Sequence, residues 1–249
     1  MPVSPGCAAH GQRSRAGLPC PCSTQLICCE NLRPSVRLGL ICRKSAPVWT
    51  GPDPARPPQT TLDQGQYRPM SRIDDSRSFL PVSIAVLTVS DTRTPEEDRS
   101  GDTLVQRLTE AGHNLAARTI LRDERAEIAA QLQAWCADPG IDVILSTGGT
   151  GLTGRDVTVE AHRDVYEKEI DAFGTVFTLV SMQKIGTSAV QSRATAGVCA
   201  GTYLFALPGS PSACRDAWDE ILGPQLDYRH RPCNFVEILP RLDEHLRRK

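Results

Sequence analysis

The chain has 249 residues, 28 Lys+Arg against 29 Asp+Glu, and a formal charge of −1, enough for one sizeable globular domain or two small ones. Without a global basic field, sequence-independent nucleic-acid binding is not expected. Without a run of about 18 apolar residues, no hydrophobic membrane span is expected either.

The averages conceal a seam. Residues 1–80 hold 10 basic and 5 acidic side chains, residues 81–249 hold 18 and 24, and six of the ten cysteines fall within the first 42 residues. From Met1 to about Gln66 the chain is dense in Pro, Cys and Arg and shows no sustained periodicity. Such a composition buries too little apolar surface to offset chain entropy, so a disordered extension over 1–69 is expected. Cys7, Cys20, Cys22, Cys28, Cys29 and Cys42 contain no paired C-x-x-C, which argues against zinc. An Arg-bearing, acid-poor stretch also fits a targeting segment, although no secretory signal pattern is present. A simpler reading begins the natural protein at Met70, ten residues before the first clear strand.

From Pro81 onward, apolar runs alternate with helical spacing. Ser83–Ser90 reads as a buried strand, and Ser100 opens a helix with Leu104, Val105, Leu108 and Ala111 on one face, ended by Gly112. Leu115–Leu121 is a second strand; Asp123 precedes a helix carrying Ile128, Ala129, Leu132, Trp135 and Cys136. After Asp138-Pro-Gly140 comes a third strand, Ile141–Ser146, then a long helical region with Ile170, Phe173, Phe177 and Val180. Thr202–Leu207 is the fourth strand, and Ser210-Pro211 supplies an N-cap and a proline at the first helical position. Near-continuous apolar strands between helices predict a three-layer α/β/α domain around a mostly parallel sheet, spanning 80–240, with a basic tip at 241–249. Scattered cysteines in this part read as buried free thiols of a cytoplasmic protein.

In open α/β sheets, ligands bind beyond the carboxyl ends of the strands. Here those ends carry Ser90-Asp91-Thr92-Arg93, Arg122-Asp123, Thr147-Gly148-Gly149-Thr150-Gly151 with Arg155-Asp156-Val-Thr158, and Pro208-Gly209. The glycines permit close backbone approach to an anion, with Thr147 and Thr150 hydroxyls as added donors; a tight strand-to-helix turn is the alternative. Asp156 and Asp123 read either as Mg²⁺ ligands or as cap and turn residues, and Asp91 likewise serves a site or a turn. Arg193, near Ser188, is either a forked phosphate contact or an ion-paired surface arginine. His230 and Cys233 have no partner at metal spacing, so no zinc is expected.

These motifs, together with Ile185-Gly-Thr-Ser188, Gln191-Ser-Arg193, Ala213-Cys-Arg215, Pro224-Gln-Leu-Asp227 and Arg231-Pro-Cys-Asn-Phe235, resemble the molybdopterin-binding family of molybdenum cofactor biosynthesis, and within it the protein B members, over about residues 80–240. The resemblance implies a homo-trimer or homo-hexamer and the chemistry of molybdopterin adenylyltransferases, in which Mg-ATP and molybdopterin yield adenylyl-molybdopterin and pyrophosphate. It implies that Gly148–Gly151 cradle phosphate, that Asp156 and Asp123 serve a Mg²⁺-assisted reaction, that Ser188 and Arg193 touch the pterin phosphate or neighbouring groups, and that Pro208-Gly209 shape the pocket. Val159 stands where much of the family has proline. Two alternatives accompany this reading: a non-catalytic pterin-binding oligomer in the same pathway, and a nucleotide or pyrophosphate hydrolase on the same scaffold.

Overall fold

The computed structural model describes residues 72–247; the expected extension over 1–69 and the start at Met70 lie outside them. The elements in chain order are β1 (Arg72–Ile73), β2 (Ser83–Val89), α1 (Arg99–Glu110), β3 (Asn114–Leu121), α2 (Arg125–Cys136), β4 (Val143–Thr147), α3 (Thr158–Val165), β5 (Lys168–Glu169), α4 (Asp171–Ile185), β6 (Thr195–Cys199), β7 (Thr202–Leu207), α5 (Pro211–Ala217) and β8 (His230–Arg231), with short helical turns between and after them. A six-stranded sheet runs β3-β2-β4-β7-β6-β5, and β1 pairs with β8 apart from it.

Alternation along β2 shows why both faces are covered. Ile84 and Val86 join Leu104 and Leu108 of α1, Phe173 and Phe177 of α4, and Trp218 and Leu222 on one face. Ala85, Leu87 and Val89 join Ile128 and Leu132 of α2 and Ala161 and Val165 of α3 on the other. Successive strand side chains point to opposite faces, so an unbroken apolar run needs two cores. Each fully buried Leu or Ile contributes roughly 1.5–3 kcal/mol to the layering.

Three sheet pairings, β2 with β3, β2 with β4 and β4 with β7, are parallel as expected. The remaining two are antiparallel. The second half of the sheet is a hairpin of β6 and β7 turning through Ala200 and Gly201, both at positive φ. Thr195-Ala-Gly-Val-Cys199 carries too few large apolar residues to announce a strand in the sequence. The long helical region also divides, with the edge strand β5 separating α3 from α4, and the basic tip includes a helical turn at Glu244–Arg247.

β2 sends its chain to β3 on one side, and β3 returns it to β4 on the other. The strand order therefore reverses between β2 and β4, and a crevice opens beyond their carboxyl ends.

Candidate functional site

That crevice is a cavity of about 760 Å³ walled by the loops after β2, β3, β4 and β7. At its centre, Gly148 and Gly149 have φ of +104° and +61°. A methyl group on Gly148 would lie 2.1 Å from the Val89 carbonyl, and one on Gly209 would lie 3.2 Å from the Gly148 Cα. Three loops thus cross backbone against backbone, which only glycine allows. The register is pinned by Gly148 N donating to Leu207 O at 3.1 Å and Thr158 N donating to Gly149 O at 3.0 Å.

The two hydroxyls of the loop differ. Thr147 Oγ1 donates to Pro208 O at 3.0 Å and is a brace between strands rather than a lining donor, whereas Thr150 lines the cavity with Gly148, Gly149 and Gly151. Ser90, Asp123, Arg155, Asp156, Ser188, Pro208 and Gly209 line it too. Ser90 Oγ accepts from the N–H groups of Thr92 and Arg93 at 3.3 and 3.2 Å, shaping the first loop. Asp91 lines the adjoining bay.

Asp156 is a turn residue that also reaches the cavity wall. Its Oδ2 accepts from Thr153 N at 2.8 Å and Thr153 Oγ1 at 2.6 Å, closing a turn, and its carboxylate lies beneath Gly151 at the cavity wall. The Thr153 hydroxyl, with backbone N–H groups, holds this carboxyl below its ordinary pKa against the opposing effect of burial.

Asp123 does not cap α2. The cap position is Glu124, without a side-chain hydrogen bond; the Asp123 carboxylate instead takes the Asp91 backbone N–H, and a methyl group on Gly149 would lie 2.5 Å from its Oδ1. Burial raises its pKa, and the Asp91 and Asp156 charges raise it further. A half-buried carboxylate with excess proton affinity and unused lone pairs is a group suited to a cation or an acidic proton. Among the described residues no three acidic, His or Cys side chains form a ready metal cage. Mg²⁺ needs only one or two carboxylates when phosphates and water fill its other positions, so Asp123 and Asp156 fit a metal that arrives with nucleotide.

Arginines organise the remainder. Arg155 donates to both oxygens of Asp91 at 3.0 and 2.9 Å and to Glu124 at 3.0 Å, tying three loops together. The expected forked contact of Arg193 is made to the chain itself. Its Nε donates to Gly151 O at 2.8 Å, its Nη2 donates to Asp156 O at 3.1 Å, and Glu160 takes the other side of the guanidinium. Arg193 therefore clasps the glycine loop from behind. Its partner Glu160, 33 residues away, was not legible in sequence. Thr158 begins α3, and its Oγ1 is buried without a hydrogen-bond partner behind Gly149; the cavity-lining Ser192 Oγ is likewise unpartnered. Lys184 pairs with Glu220, and Lys168 lies in the edge strand β5, so neither serves the cavity.

Two buried groups escaped the sequence reading. Asp98, fully buried, is the cap of α1 in place of Ser100, accepting from Gly101 N at 2.9 Å and Thr88 Oγ1 at 2.8 Å. An aspartate just before a helical run is a recognised start signal that would have found it. Ser146, the residue before Thr147, bonds to His162 Nε2 at 2.8 Å inside the core.

A family model described as a probable molybdopterin binding domain matches residues 85–228. Molybdenum cofactor biosynthesis protein B of Escherichia coli K12 is 49% identical over 160 residues, covering 64% of this chain and 94% of that protein. A crystal structure of a molybdenum cofactor biosynthesis protein B superposes with a TM-score of 0.61 at 36% identity, covering 68% of this chain and 99% of the other. The tungsten cofactor synthesizing protein of Pyrococcus furiosus follows at 0.52 and 33%, covering 57% and 91%. With most of its described residues matched to such relatives in sequence and fold, the chain belongs to the molybdenum cofactor biosynthesis protein B family.

Proposed function

We propose that this protein adenylylates molybdopterin with Mg-ATP, as a cytoplasmic homo-oligomer. Molybdenum cofactor biosynthesis as its setting comes with the family; the reaction is our reading of the site. One observation carries it: the glycine loop faces the cavity beside Asp123, a half-buried carboxylate whose pKa is raised by burial and by the Asp91 and Asp156 charges.

Adenylyl transfer requires a phosphate oxygen of the pterin in line with the α-phosphorus of ATP. Its oxygen–phosphorus bond forms as the bridge to the β-phosphate breaks and pyrophosphate departs. Backbone N–H groups around Gly149–Gly151 and the Thr150 hydroxyl are suited to a phosphate. Asp123 and Asp156 would hold the Mg²⁺, which offsets charge on the phosphates. The Arg193 clasp fixes the loop, and the orphaned Ser192 hydroxyl offers a polar contact next to Ser188. Support for an oligomer comes from α4, where Val176, Leu179, Met182 and Ile185 are exposed although its opposite face, Phe173 and Phe177, is buried. A helix apolar on all sides needs a second cover.

The test is incubation of purified protein with molybdopterin and Mg-ATP. Release of pyrophosphate is expected, and Asp156→Asn should slow turnover far more than it weakens pterin binding. Retained pterin binding without pyrophosphate release would establish the non-catalytic binding role instead. Unchanged turnover in Asp156→Asn would remove this carboxylate from the mechanism.

A further inference from the structure

Next to the glycine-loop cavity lies a bay of about 640 Å³ between the loop after β2 and the end of β3. Ser90, Thr92 and Arg93 line both cavities, so a ligand in one lies directly beside the other. β3 is an edge strand, and residues two apart share a face. Arg118 and Ile120 share one face of it, and Arg122 follows in the same alternation. With Arg93 from the facing loop, three arginines line the bay.

Two of them are set in place by one buried carboxylate. Arg118 Nη2 lies 2.8 Å from Asp98 Oδ2, and Arg93 Nη1 lies 4.0 Å from Oδ1, while the aspartate itself is wholly buried. Arg118 also reaches Asp102 at 2.8 Å, and Arg93 donates to Gly209 O at 2.8 Å and to Ser100 Oγ. A guanidinium has more N–H donors than these contacts use, and both side chains remain about 30% exposed, at 30% and 28%. A buried ion pair adds little net stability; its evident effect is to fix geometry. The third, Arg122, makes no side-chain hydrogen bond or close ion pair among the described residues, although its charge acts on Asp91 across the bay. The one carboxylate lining the bay, Asp91, is already held by both arms of Arg155.

The proposed reaction needs cations near the leaving group, yet Arg155 and Arg193 spend their donors on loops. We infer that this bay binds the pyrophosphate portion of a nucleoside triphosphate, with Arg93 and Arg118 held rigid by Asp98 and Arg122 closing on the outer phosphate. The inference rests on the adenylyl-transfer reading for its place in the reaction. When the α–β bridging P–O bond breaks, its electron pair goes to the β-phosphate oxygen, and the bay receives the resulting pyrophosphate. No proton moves in this step, because the attacking pterin phosphate oxygen is already ionised.

Calorimetric titration of the full chain with sodium pyrophosphate, with and without MgCl₂, tests the bay without requiring turnover. Binding is expected in the wild type and should weaken by about tenfold in Arg122→Gln, the loss of one charge-assisted contact. The distant Arg241→Gln should bind as wild type does. ATP should displace pyrophosphate, and AMP, which lacks the outer phosphates, should not. Arg122 makes no side-chain hydrogen bond among the described residues, so its variant is expected to keep the fold; near-ultraviolet circular dichroism checks that. Absence of pyrophosphate binding, equal affinity in Arg122→Gln and wild type, or displacement by AMP as effective as by ATP would overturn the inference. Loss of adenylylation with Arg122-dependent pyrophosphate binding intact would refute the proposed reaction and leave the bay as a polyphosphate site. Active enzyme whose pyrophosphate affinity ignores Arg122 would refute the bay alone.

Discussion

Lowering the pH from 7 to 5 should cost this fold about 2 kcal/mol through one side chain, His162. It lies on α3, fully buried, with Nε2 2.8 Å from Ser146 Oγ and Nδ1 3.1 Å from the Tyr166 hydroxyl. Burial pushes its pKa from the ordinary 6.5 down to about 3. The folded imidazole stays neutral at pH 5 while the unfolded chain takes up a proton. Stability from this group is therefore complete above about pH 6.5 and is lost as pH falls towards 3. The difference at pH 5 is RT times the logarithm of unfolded-state protonation, about 2 kcal/mol. The figure depends on the gap between pH and the unfolded-state pKa, and hardly on where below about pH 4 the folded group titrates. His162→Gln keeps hydrogen-bonding atoms towards Ser146 and cannot ionise. Urea unfolding of both proteins at pH 7 and pH 5, followed by circular dichroism, gives the stability gap between them at each pH. That gap should move by about 2 kcal/mol in favour of the variant at pH 5. A gap constant to within about 0.5 kcal/mol would refute a neutral, desolvated His162. The histidine matters to the site because its partner Ser146 directly precedes the loop beginning at Thr147.

Two further outcomes are expected. Gly149→Ala places a methyl group 2.3 Å from Thr158 Oγ1 and 2.5 Å from Asp123 Oδ1 at a φ of +61°; the left-handed backbone alone costs roughly 1–2 kcal/mol. Chemical unfolding should show at least that loss and turnover should collapse, while Gly154→Ala, with nothing within 4 Å, should show neither. Leu179→Glu on the exposed apolar side of α4, where this leucine is 58% exposed, should lower the oligomeric state measured by analytical ultracentrifugation without unfolding the protomer. An unchanged sedimentation profile would remove α4 from the interface.

Much of this architecture can be read from local pattern. β2, β4 and β7 are apolar runs, and burial on both faces leaves such a run no alternative but a covered central strand; β3 is a weaker run at the sheet edge. The Ser210 cap, accepting from Ala213 N at 3.2 Å with Pro211 behind it, is a contact within three residues, so its signal is local. The glycine loop is legible because its backbone geometry excludes side chains. β6 was missed for the opposite reason: small residues become a strand only because β7 supplies the hydrogen bonds.

The candidate site divides along the same line. Which residue types stand at the strand ends follows from the sequence, and so does the prospect of phosphate chemistry there. What each charge does follows from partners far along the chain. Arg155 meets Asp91 across 64 residues and Arg193 meets Glu160 across 33, which turns both from apparent ligand contacts into loop braces. Asp123 loses its helix-capping role to geometry and is left as a carboxylate with a raised pKa. The sequence by itself determined the layers, the loop and the chemical inventory, because backbone conformation and apolar burial act over short stretches. Only the tertiary structure decided which arginines are spent and which remain to meet an anion, because charge pairing depends on distance in space.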